Sequence, residues 1–332
     1  MRDDRVICLG EAIIDRIFQK SSKSQFDSYN DFLGGAPANV ACALSKLGIP
    51  TSFIGRIGDE NYLNQFTDTF SNLKIDYSGL QVDKSFPTRI IKVERSNSGE
   101  RRFIGFVGDN KIFPDQEINK DQIIDVWESL SENVSVLVLG TILLASNKSL
   151  DSVSWVIERS KELNIKVVFD INWRSVFWES NYIIEDRPSN KAIKLIKEFL
   201  QYGDLLKLAR EEAIWFFSTD NPELISRSFA NSPDVVITDG AFNIKWFING
   251  ILGNSSVYSS PEIIDTTGAG DNFLAGLIYG YMQKEAMDTK YKIQNIIKFA
   301  AACGFLVCLG TGAIEPQPTI NQVKSFLISE GL

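Results

Sequence analysis

Histidine is absent from this sequence of 332 residues. Its absence excludes Ser-His-Asp triads, Cys-His dyads and zinc sites that need an imidazole ligand. Cysteine is scarce, and the four that occur form no CxxC pair: Cys8, Cys42, Cys303 and Cys308. They lie among apolar or small residues, which predicts buried free thiols in a reducing compartment.

Basic residues are also in the minority, with 34 Lys and Arg against 42 Asp and Glu and a net charge of −8. A nucleic-acid-binding protein needs a basic face, so we predict no nucleic-acid partner. Phosphorylated ligands stay open, because a few local donors are enough to hold a phosphate. With 44% hydrophobic and 23% charged residues, the chain predicts a sizeable core, in two domains or in one large domain with a smaller excursion.

Long hydrophobic runs that would suit a leader or a membrane span are not evident. The first apolar run, Val6–Leu9, is followed at once by Glu11 and Asp15, so we expect no signal peptide. The best membrane candidate is Ile296–Ile314, but Lys298 interrupts it and it is rich in Gly and Ala. We predict a buried helix and strand there, no membrane partner, and a cytoplasmic protein.

Short apolar runs are present instead, and they predict buried parallel strands: Val6–Leu9, Val136–Leu139, Val167–Phe169, Leu205–Leu208 and Val235–Ile237. Helix-period segments such as Asp151–Leu163 and Ala192–Leu200 lie between them. This alternation predicts an α/β fold with a doubly wound, mostly parallel sheet. Ligands of such sheets bind at the carboxyl ends of the strands, which makes the residues that follow or close the runs site candidates: Gly140, Asp170, Lys207 and Thr238.

A second, smaller β element is predicted early in the chain. Arg89–Glu94 and Arg101–Val107 alternate apolar and polar residues around the turn Asn97-Ser98-Gly99, which indicates a hairpin with one exposed face. We expect residues 12–34 and 86–110 to form a β-sheet lid that covers a ligand, and residues 1–11, 35–85 and 111–332 to form the α/β core. An exposed lid face also suggests a homodimer formed through the lid.

The segment Asp265–Asp271, DTTGAGD, carries the strongest chemical signal. A helical pattern follows it, so Gly268-Ala269-Gly270 is predicted at a helix N-terminus, where free N–H groups and the helix dipole favour an anion. Asp271 can accept a proton from an attacking hydroxyl there, and Asp265 can orient a cation or the loop. The string is neither a Walker A loop nor a GxGxxG fingerprint, because no GK[ST] follows and Phe273 replaces the third glycine.

The string DTTGAGDNFLAG resembles the C-terminal signature of the ribokinase-like (PfkB) carbohydrate kinases. GGAPANVACALSKLG, at Gly34–Gly48, resembles their N-terminal signature in the wording common among fructokinases. CLGEAIID, IGRIGDE, FDINWR and GTGAIEPQPT also fit, so the resemblance covers nearly the whole chain. It implies a doubly wound sheet with a β lid. The implied activity is transfer of the γ-phosphoryl of ATP to a hydroxyl of a sugar, and the fructokinase wording favours fructose as that sugar. The resemblance also implies Mg²⁺ and, as in many members, activation by K⁺.

The resemblance assigns roles to particular residues. They are Asp271 as catalytic base; Gly268, Ala269 and Gly270 as anion hole; Asp15, Gly34, Gly35, Asn39 and Arg174 for the sugar; Lys207, Glu212, Thr238 and Gly240 for the nucleotide; and Asp265 and Thr267 for a monovalent cation, with backbone carbonyls near Val307–Gly312. A carboxylate and an amide both engage sugar hydroxyls, and paired glycines permit close backbone approach.

Two positions depart from the family pattern. Ala209 stands where many members have the Asn of Asn-x-x-Glu, so that only Glu212 remains, and Asp239 replaces a small or apolar residue. The first departure weakens the expected Mg-ATP contacts, for which Lys207, Arg210 or Asn172 can compensate.

Three alternatives to a fructokinase stay open. The FDINWR wording keeps 2-keto-3-deoxygluconate and other small acceptors in view, and a nucleoside kinase can use the same scaffold. Ala209 also keeps open a catalytically weak, fructokinase-like binding protein. The intact DTTGAGD and GGAPAN strings favour an active kinase.

Overall fold

A computed structural model describes residues 4–19, 28–95, 101–108, 112–178, 187–283 and 288–331. The strands are β1 (Arg5–Leu9), β2 (Ile13–Gln19), β3 (Ser28–Gly34), β4 (Thr51–Gly58), β5 (Asp76–Asp83), β6 (Ile90–Arg95), β7 (Arg101–Phe106), β8 (Val134–Gly140), β9 (Lys166–Asp170), β10 (Leu205–Ala209), β11 (Asp234–Thr238), β12 (Ile244–Ile248) and β13 (Ile251–Ser255). The helices are α1 (Ala36–Lys46), α2 (Asn61–Asn72), α3 (Lys120–Leu130), α4 (Asn147–Glu162), α5 (Asn190–Leu200), α6 (Arg210–Phe217), α7 (Pro222–Arg227), α8 (Ala269–Met282), α9 (Lys290–Leu306) and α10 (Ile320–Ser329).

Nine strands form one large sheet in the order β13-β12-β11-β10-β9-β8-β1-β4-β5. All neighbours from β11 to β5 run parallel, while β12 and β13 add an antiparallel edge. The five apolar runs of the sequence become β1, β8, β9, β10 and β11, as predicted. The predicted α/β fold is confirmed.

Side chains of the central strands alternate between two apolar cores, one on each face of the large sheet. In β1, Val6 and Cys8 join the core that contains residues of α1, α8 and α9, whereas Ile7 and Leu9 join the core that contains residues of α3, α4 and α5. This period of two is what a parallel strand covered by helices on both faces requires. The sheet is therefore wound on both sides.

The small sheet has the order β3-β2-β6-β7, with β6 and β7 antiparallel, as the hairpin pattern predicted. The predicted turn at residues 97–99 lies outside the described residues. All four strands fall within 12–34 and 86–110. In β2, Arg16 forms a two-pronged ion pair with Asp31 of β3, and Tyr62 of α2 donates a hydrogen bond to the same carboxylate at 2.6 Å. This contact joins the small sheet to the helical layer.

The prediction for Ile296–Ile314 is wrong in part. A buried helix, α9, ends at Leu306 and a single 3-10 turn follows at Val307–Leu309, so the expected strand does not form in this described stretch. The reason is local: the loop after α9 instead donates Gly312 N–H to the carboxylate of Asp265. Lys290–Leu309 has the length and hydropathy of a membrane span, but half of it is buried within the protein.

The four cysteines are free and buried, as predicted. Burial raises the pKa of the Cys42 thiol to about 12 and that of Cys308 to about 11, so neither is a reactive thiolate at neutral pH.

Candidate active site

A cavity of about 790 Å³ opens at the carboxyl ends of β1, β9 and β10, between the large sheet and the small one. Its lining combines lid and core residues: Glu11, Ile13, Asp15, Gly35, Ala36, Asn39, Ile91, Val93, Ile142, Asn172, Trp173, Arg174, Ser175, Val176, Phe177, Lys207, Ala209, Glu211, Glu212, Trp215, Thr266, Thr267, Gly268, Gly270 and Asp271. The place agrees with the general position of ligands in open α/β sheets.

The start of α8 forms one wall of this cavity. Gly268 adopts φ +74°, and a Cβ at this position would lie 3.1 Å from the backbone of Ala313, so the turn favours glycine in both conformation and space. A Cβ at Gly270 would lie 3.0 Å from Nζ of Lys207. A lysine ammonium therefore lies beside a helix end whose first N–H groups lack intrahelical acceptors, which suits a phosphate. The N–H of Ala269 donates to the carbonyl of Thr266 at 3.3 Å.

Asp271 lies in the first turn of α8 and reaches solvent only in part. Its Oδ2 accepts a hydrogen bond of 2.8 Å from Nδ2 of Asn39, on α1. Burial raises the pKa of Asp271 to about 6; the bond from Asn39 and the charges of Lys207 and Arg174 lower it, and Asp170 raises it. A carboxylate with a pKa near the working pH suits a general base.

Lys207 and Asp170 form a buried ion pair at the ends of β10 and β9, with Nζ 2.9 Å from Oδ2 and 3.2 Å from Oδ1. Burial alone lowers the pKa of Lys207, but the carboxylates of Asp170 and Glu212 outweigh it, and the pKa is raised. The ammonium therefore stays charged beside Gly270.

Glu212 is buried and both of its oxygens accept backbone hydrogen bonds. Oε1 accepts from Trp173 N and Oε2 from Ala209 N, each at 2.7 Å. Burial, then the neighbouring Asp170, raises its pKa. The carboxylate thus caps the N-terminus of α6 and fixes the loop after β9, whereas the side chain of Ala209 supplies no cap.

Asp265 joins two loops near the start of α8. Its Oδ1 accepts from Thr267 N at 3.0 Å and from Thr267 Oγ1 at 2.7 Å, while Oδ2 accepts from Gly312 N at 3.0 Å. The carbonyl of Cys308 accepts from both Ile264 N and Asp265 N. Asp265 therefore holds the GAG turn against the loop after α9.

On the lid side, Asp15 of β2 lies opposite Phe32 of β3 in the register. A Cβ at Gly34 would lie 3.1 Å from Oδ2 of Asp15, so the glycine leaves room for that carboxylate. Gly35 has φ +106° and is the N-cap of α1. Its backbone lies so close to the carbonyl of Glu11 that there is no room for a Cβ. Apolar side chains surround these polar groups: Ile13, Ile91, Val93, Ile142 and Phe177.

The pattern of the pfkB family carbohydrate kinases matches residues 3–320. The chain belongs to this family. It is a sugar kinase, and the relatives that it resembles are fructokinases. It is 26% identical over 334 residues to probable fructokinase-5 of Arabidopsis thaliana, with 98% of each chain covered. It is 26% identical over 330 residues to fructokinase-2 of Oryza sativa subsp. japonica, with 97% of this chain and 93% of that one covered.

Solved structures agree with the fold of this sugar kinase. A fructokinase from Vibrio cholerae O395, in a form with bound fructose, ADP and calcium ion, matches with a TM-score of 0.81 at 26% identity over 98% of this chain and 100% of that chain. A fructokinase from Xylella fastidiosa with bound ATP matches with a TM-score of 0.85 at 22% identity over 100% of both chains. The second likeness concerns the fold alone.

The kinase brings most of the residues implied by the resemblance to one cavity: Asp15, Gly35, Asn39, Arg174, Lys207, Glu212, Thr267, Gly268, Gly270 and Asp271. The others lie outside its lining: Gly34, Thr238, Gly240, Asp265 and Ala269. Gly34 and Asp265 contact or hold residues that line it, whereas Thr238 at the end of β11 bonds to the carbonyl of Leu208 at 3.4 Å. Asp239, the second departure, lies 3.7 Å from Nε of Arg210, which is bound to Asp220.

Sequence reasoning assigned no role to Glu11 or to the indoles of Trp173 and Trp215, which also line the cavity. Glu11 lies two positions after β1, where a polar residue ordinarily starts a loop, so nothing in the sequence indicated that its carboxyl group is buried. Asp170 was noted only as a strand end, and its ion pair with Lys207 could not be foreseen without the sheet order.

Proposed function

We propose that the enzyme transfers the γ-phosphoryl of ATP to a hydroxyl of fructose, with Asp271 as the general base. One observation carries the proposal: Asn39 and Asp271, from the two signature segments, are joined by a 2.8 Å hydrogen bond beside the N-terminus of α8. A base, an anion-binding helix end and an amide for the sugar are then next to each other, which phosphoryl transfer requires.

In the proposed reaction, Asp271 takes the proton of the attacking hydroxyl as its oxygen bonds to the γ-phosphorus, while the bond from that phosphorus to the β,γ-bridging oxygen breaks and ADP leaves. The N–H groups of Gly268 and Gly270, with that of Ala269 once it gives up its bond to the carbonyl of Thr266, neutralise the charge that develops on the transferred group. Lys207 adds a full positive charge at 3.0 Å from the Cβ position of Gly270, and Asp170 keeps it aimed there. The sugar itself is bound by Asp15, Gly34, Gly35 and Asn39.

We place the nucleotide along Lys207, Glu212, Thr238 and Gly240, at the ends of β10 and β11. Mg²⁺ commonly binds through the substrate phosphates and water with few protein carboxylates. The residues fit that mode: among the described residues no group of three or more acidic or thiol side chains is placed to hold a metal ion, and both oxygens of Glu212 already accept N–H donors. A Mg²⁺ bound with the nucleotide would supply positive charge to its phosphates, and Ala209 has no side-chain oxygen to offer such an ion.

A monovalent cation such as K⁺ is proposed beside Asp265 and Thr267. The support is that Asp265 fixes the GAG turn to the loop at Val307–Gly312, where backbone carbonyls supply oxygen ligands. A cation there would act on the anion hole by ordering these loops.

A second acceptor, 2-keto-3-deoxygluconate, has a specific argument in its favour. Arg174 lines the cavity, is exposed, and its charge lowers the pKa of Asp271. A guanidinium matches a carboxylate with two parallel hydrogen bonds, so an acid sugar would use Arg174 more fully than fructose does.

We also propose that residues 12–34 and 86–110 form the lid and that the remainder forms the core. The protein is proposed to form a homodimer through the lid, to bind neither nucleic acid nor membrane, and to be cytoplasmic. Exposed Tyr29 on β3 is one apolar residue that such a dimer would cover.

The test is ADP release with ATP, Mg²⁺ and K⁺ across fructose, glucose, ribose, 2-keto-3-deoxygluconate and adenosine. We expect fructose to give the highest kcat/KM. A preference for 2-keto-3-deoxygluconate would replace the acceptor and keep the mechanism. Binding of sugar and ATP without turnover of any acceptor would contradict the proposed activity and favour a non-catalytic binding protein.

A further inference from the structure

Glu11 is a buried carboxyl group that no motif role accounts for. It follows β1, has 1% of its surface exposed, and lines the cavity. Its Oε1 accepts a 2.9 Å hydrogen bond from Ala36 N at the start of α1. Its Oε2 has no hydrogen-bonding partner among the described residues. A buried polar atom without a partner is costly, and such atoms in a binding cavity commonly meet a ligand.

The protonation state of Glu11 follows from its surroundings. Burial raises its pKa to about 8; backbone N–H groups of Glu11 and Ala36 lower it, and Asp115 and Asp271 raise it. Glu11 therefore holds a proton at neutral pH. Because Oε1 accepts a hydrogen bond, that proton lies on Oε2, and the unpartnered atom is a donor.

The charged groups around Glu11 are otherwise occupied. Asp115 forms a buried ion pair with Arg89 at 3.0 Å, and Asp271 accepts the bond from Asn39. Asn39 contributes a second buried polar atom of this kind, because its Oδ1 also has no hydrogen-bonding partner among the described residues. Asp15 and Lys207 line the same cavity. A donor at Glu11 and an acceptor at Asn39 thus line the same cavity as Asp271.

We propose that Glu11 binds the phosphoryl acceptor as a neutral carboxyl group, donating a hydrogen bond from Oε2 to an oxygen of that molecule. Oε1 meanwhile keeps α1 in position through Ala36. This inference rests on the proposed transfer to fructose. It adds Glu11 as a residue that recognises a hydrogen-bond-accepting oxygen of the acceptor near the reacting hydroxyl.

Two substitutions separate this role from a structural one. Glu11→Gln keeps an acceptor for Ala36 N and places an amide donor at the free position, without a proton to lose. Glu11→Met keeps the approximate size and removes both functions. Glu60→Gln is the matched control, because Oε1 of Glu60 also accepts one backbone N–H, from Thr88 at 2.6 Å, and Glu60 does not line the cavity.

Binding of fructose, without turnover, is measured by calorimetry at about pH 7 and about pH 9 in the full chain. Wild type is expected to lose about tenfold in affinity over this interval, since the donor ionises about one unit below its upper end. Glu11→Gln should bind within about twofold of wild type at the lower pH and stay constant. Glu11→Met should bind about tenfold more weakly, while its affinity for ADP, which reports the intact fold, is unchanged.

Equal fructose affinity in wild type and Glu11→Met would overturn this inference and leave the proposed function in place. An equal loss of fructose affinity with rising pH in wild type and Glu11→Gln would do the same. If Glu11→Met also loses ADP binding, Glu11→Gln decides: a pH-independent affinity supports the donor, and a pH dependence like that of wild type overturns it. A wild type that binds and turns over no acceptor would overturn the proposed function together with this inference.

Discussion

Asp271 is held between two opposing effects on its pKa. Burial raises the value to about 6, while the hydrogen bond from Asn39 and the charges of Lys207 and Arg174 lower it. Without those stabilising groups the pKa of this carboxyl group would be higher, and less of it would be ionised at neutral pH. In the proposed mechanism the amide of Asn39 therefore helps to keep the base ionised, besides any contact with the sugar.

The pH dependence of the reaction follows from that balance. The base works when ionised, so kcat/KM for the acceptor should rise as pH increases through about 6 and level off near neutral pH. It should fall again through about 8, where Glu11 loses the proton that its proposed hydrogen bond to the acceptor requires. Asn39→Ala removes a group that lowers the pKa, and its acid limb should move to higher pH. Steady-state rates across pH in wild type and Asn39→Ala measure both. An acid limb that stays in place, or moves down, would contradict this account of Asp271.

Lys207 provides a second prediction at a single side chain. Lys207→Met should reduce kcat/KM for ATP by roughly a hundredfold, since it removes a charged donor beside Gly270 and leaves Asp170 buried without its partner. Lys207→Met/Asp170→Asn separates the two causes: stability should recover in a melting experiment, and the rate should not. Exposed Lys166, at the far end of β9, is the control for charge removal. Full recovery of the rate in the double variant would show that Lys207 is only structural.

The start of α8 shows how one element combines conformation and function. Its N-cap, Gly268, adopts the left-handed region at φ +74°, and the loop bearing Ala313 packs directly on it. The helix end is exposed to the cavity because this glycine turns the chain so tightly. Further along, Gly276 and Gly280 let α9 approach, since a Cβ at Gly276 would lie 2.7 Å from Cα of Ala300.

Gly268→Ala tests this element. We expect a loss of about 1–2 kcal/mol in stability from the positive φ, and a further loss of activity because Ala313 must move and distort the anion hole. Gly250→Ala is the matched control: φ is +76°, and a Cβ there would meet no atom within 4 Å. Thermal melts and kcat measured side by side decide it. If both variants lose the same stability and neither loses activity, the hole does not depend on Gly268.

The sequence predicted the helices and strands better than it predicted the contacts between them. Apolar runs such as Val235–Ile237 identify buried strands because a parallel sheet excludes water from both faces. The hydrogen bond between Asn39 and Asp271 joins residues 232 positions apart. The two signature strings assigned both residues to the site, but they did not predict this bond. The 3-10 turn after α9 was missed because apolar composition does not distinguish a buried loop from a buried strand.

In the whole molecule, the two sheets are joined through buried polar contacts that patterning does not reveal. Arg89 has 4% exposure, pairs with Asp115, and lies 4.1 Å from the ring centroid of Phe113 and 4.5 Å from that of Phe177. In the sequence it looked like the polar member of an alternating strand. Glu11 was missed for the same reason: the partners that permit a buried charge or carboxyl group lie elsewhere in the chain.

The large sheet places its strand ends on one side of the cavity and the small sheet covers the other. In the proposed reaction, acceptor and nucleotide meet between them at α8. The proposed mechanism therefore depends most on one carboxylate, Asp271. The roles proposed for Lys207 and for the lid both assume that Asp271 takes the proton of the acceptor hydroxyl.

The most direct test is the rate of ADP formation from ATP and fructose by Asp271→Asn. Asp234→Asn serves as control, because Asp234 is also a carboxyl group whose pKa burial raises, but it bonds to Tyr281 away from the cavity. We predict that Asp271→Asn lowers kcat by about a hundred- to ten-thousand-fold while fructose and ADP still bind, and that Asp234→Asn stays close to wild type. Turnover by Asp271→Asn at a near-normal rate would contradict the account.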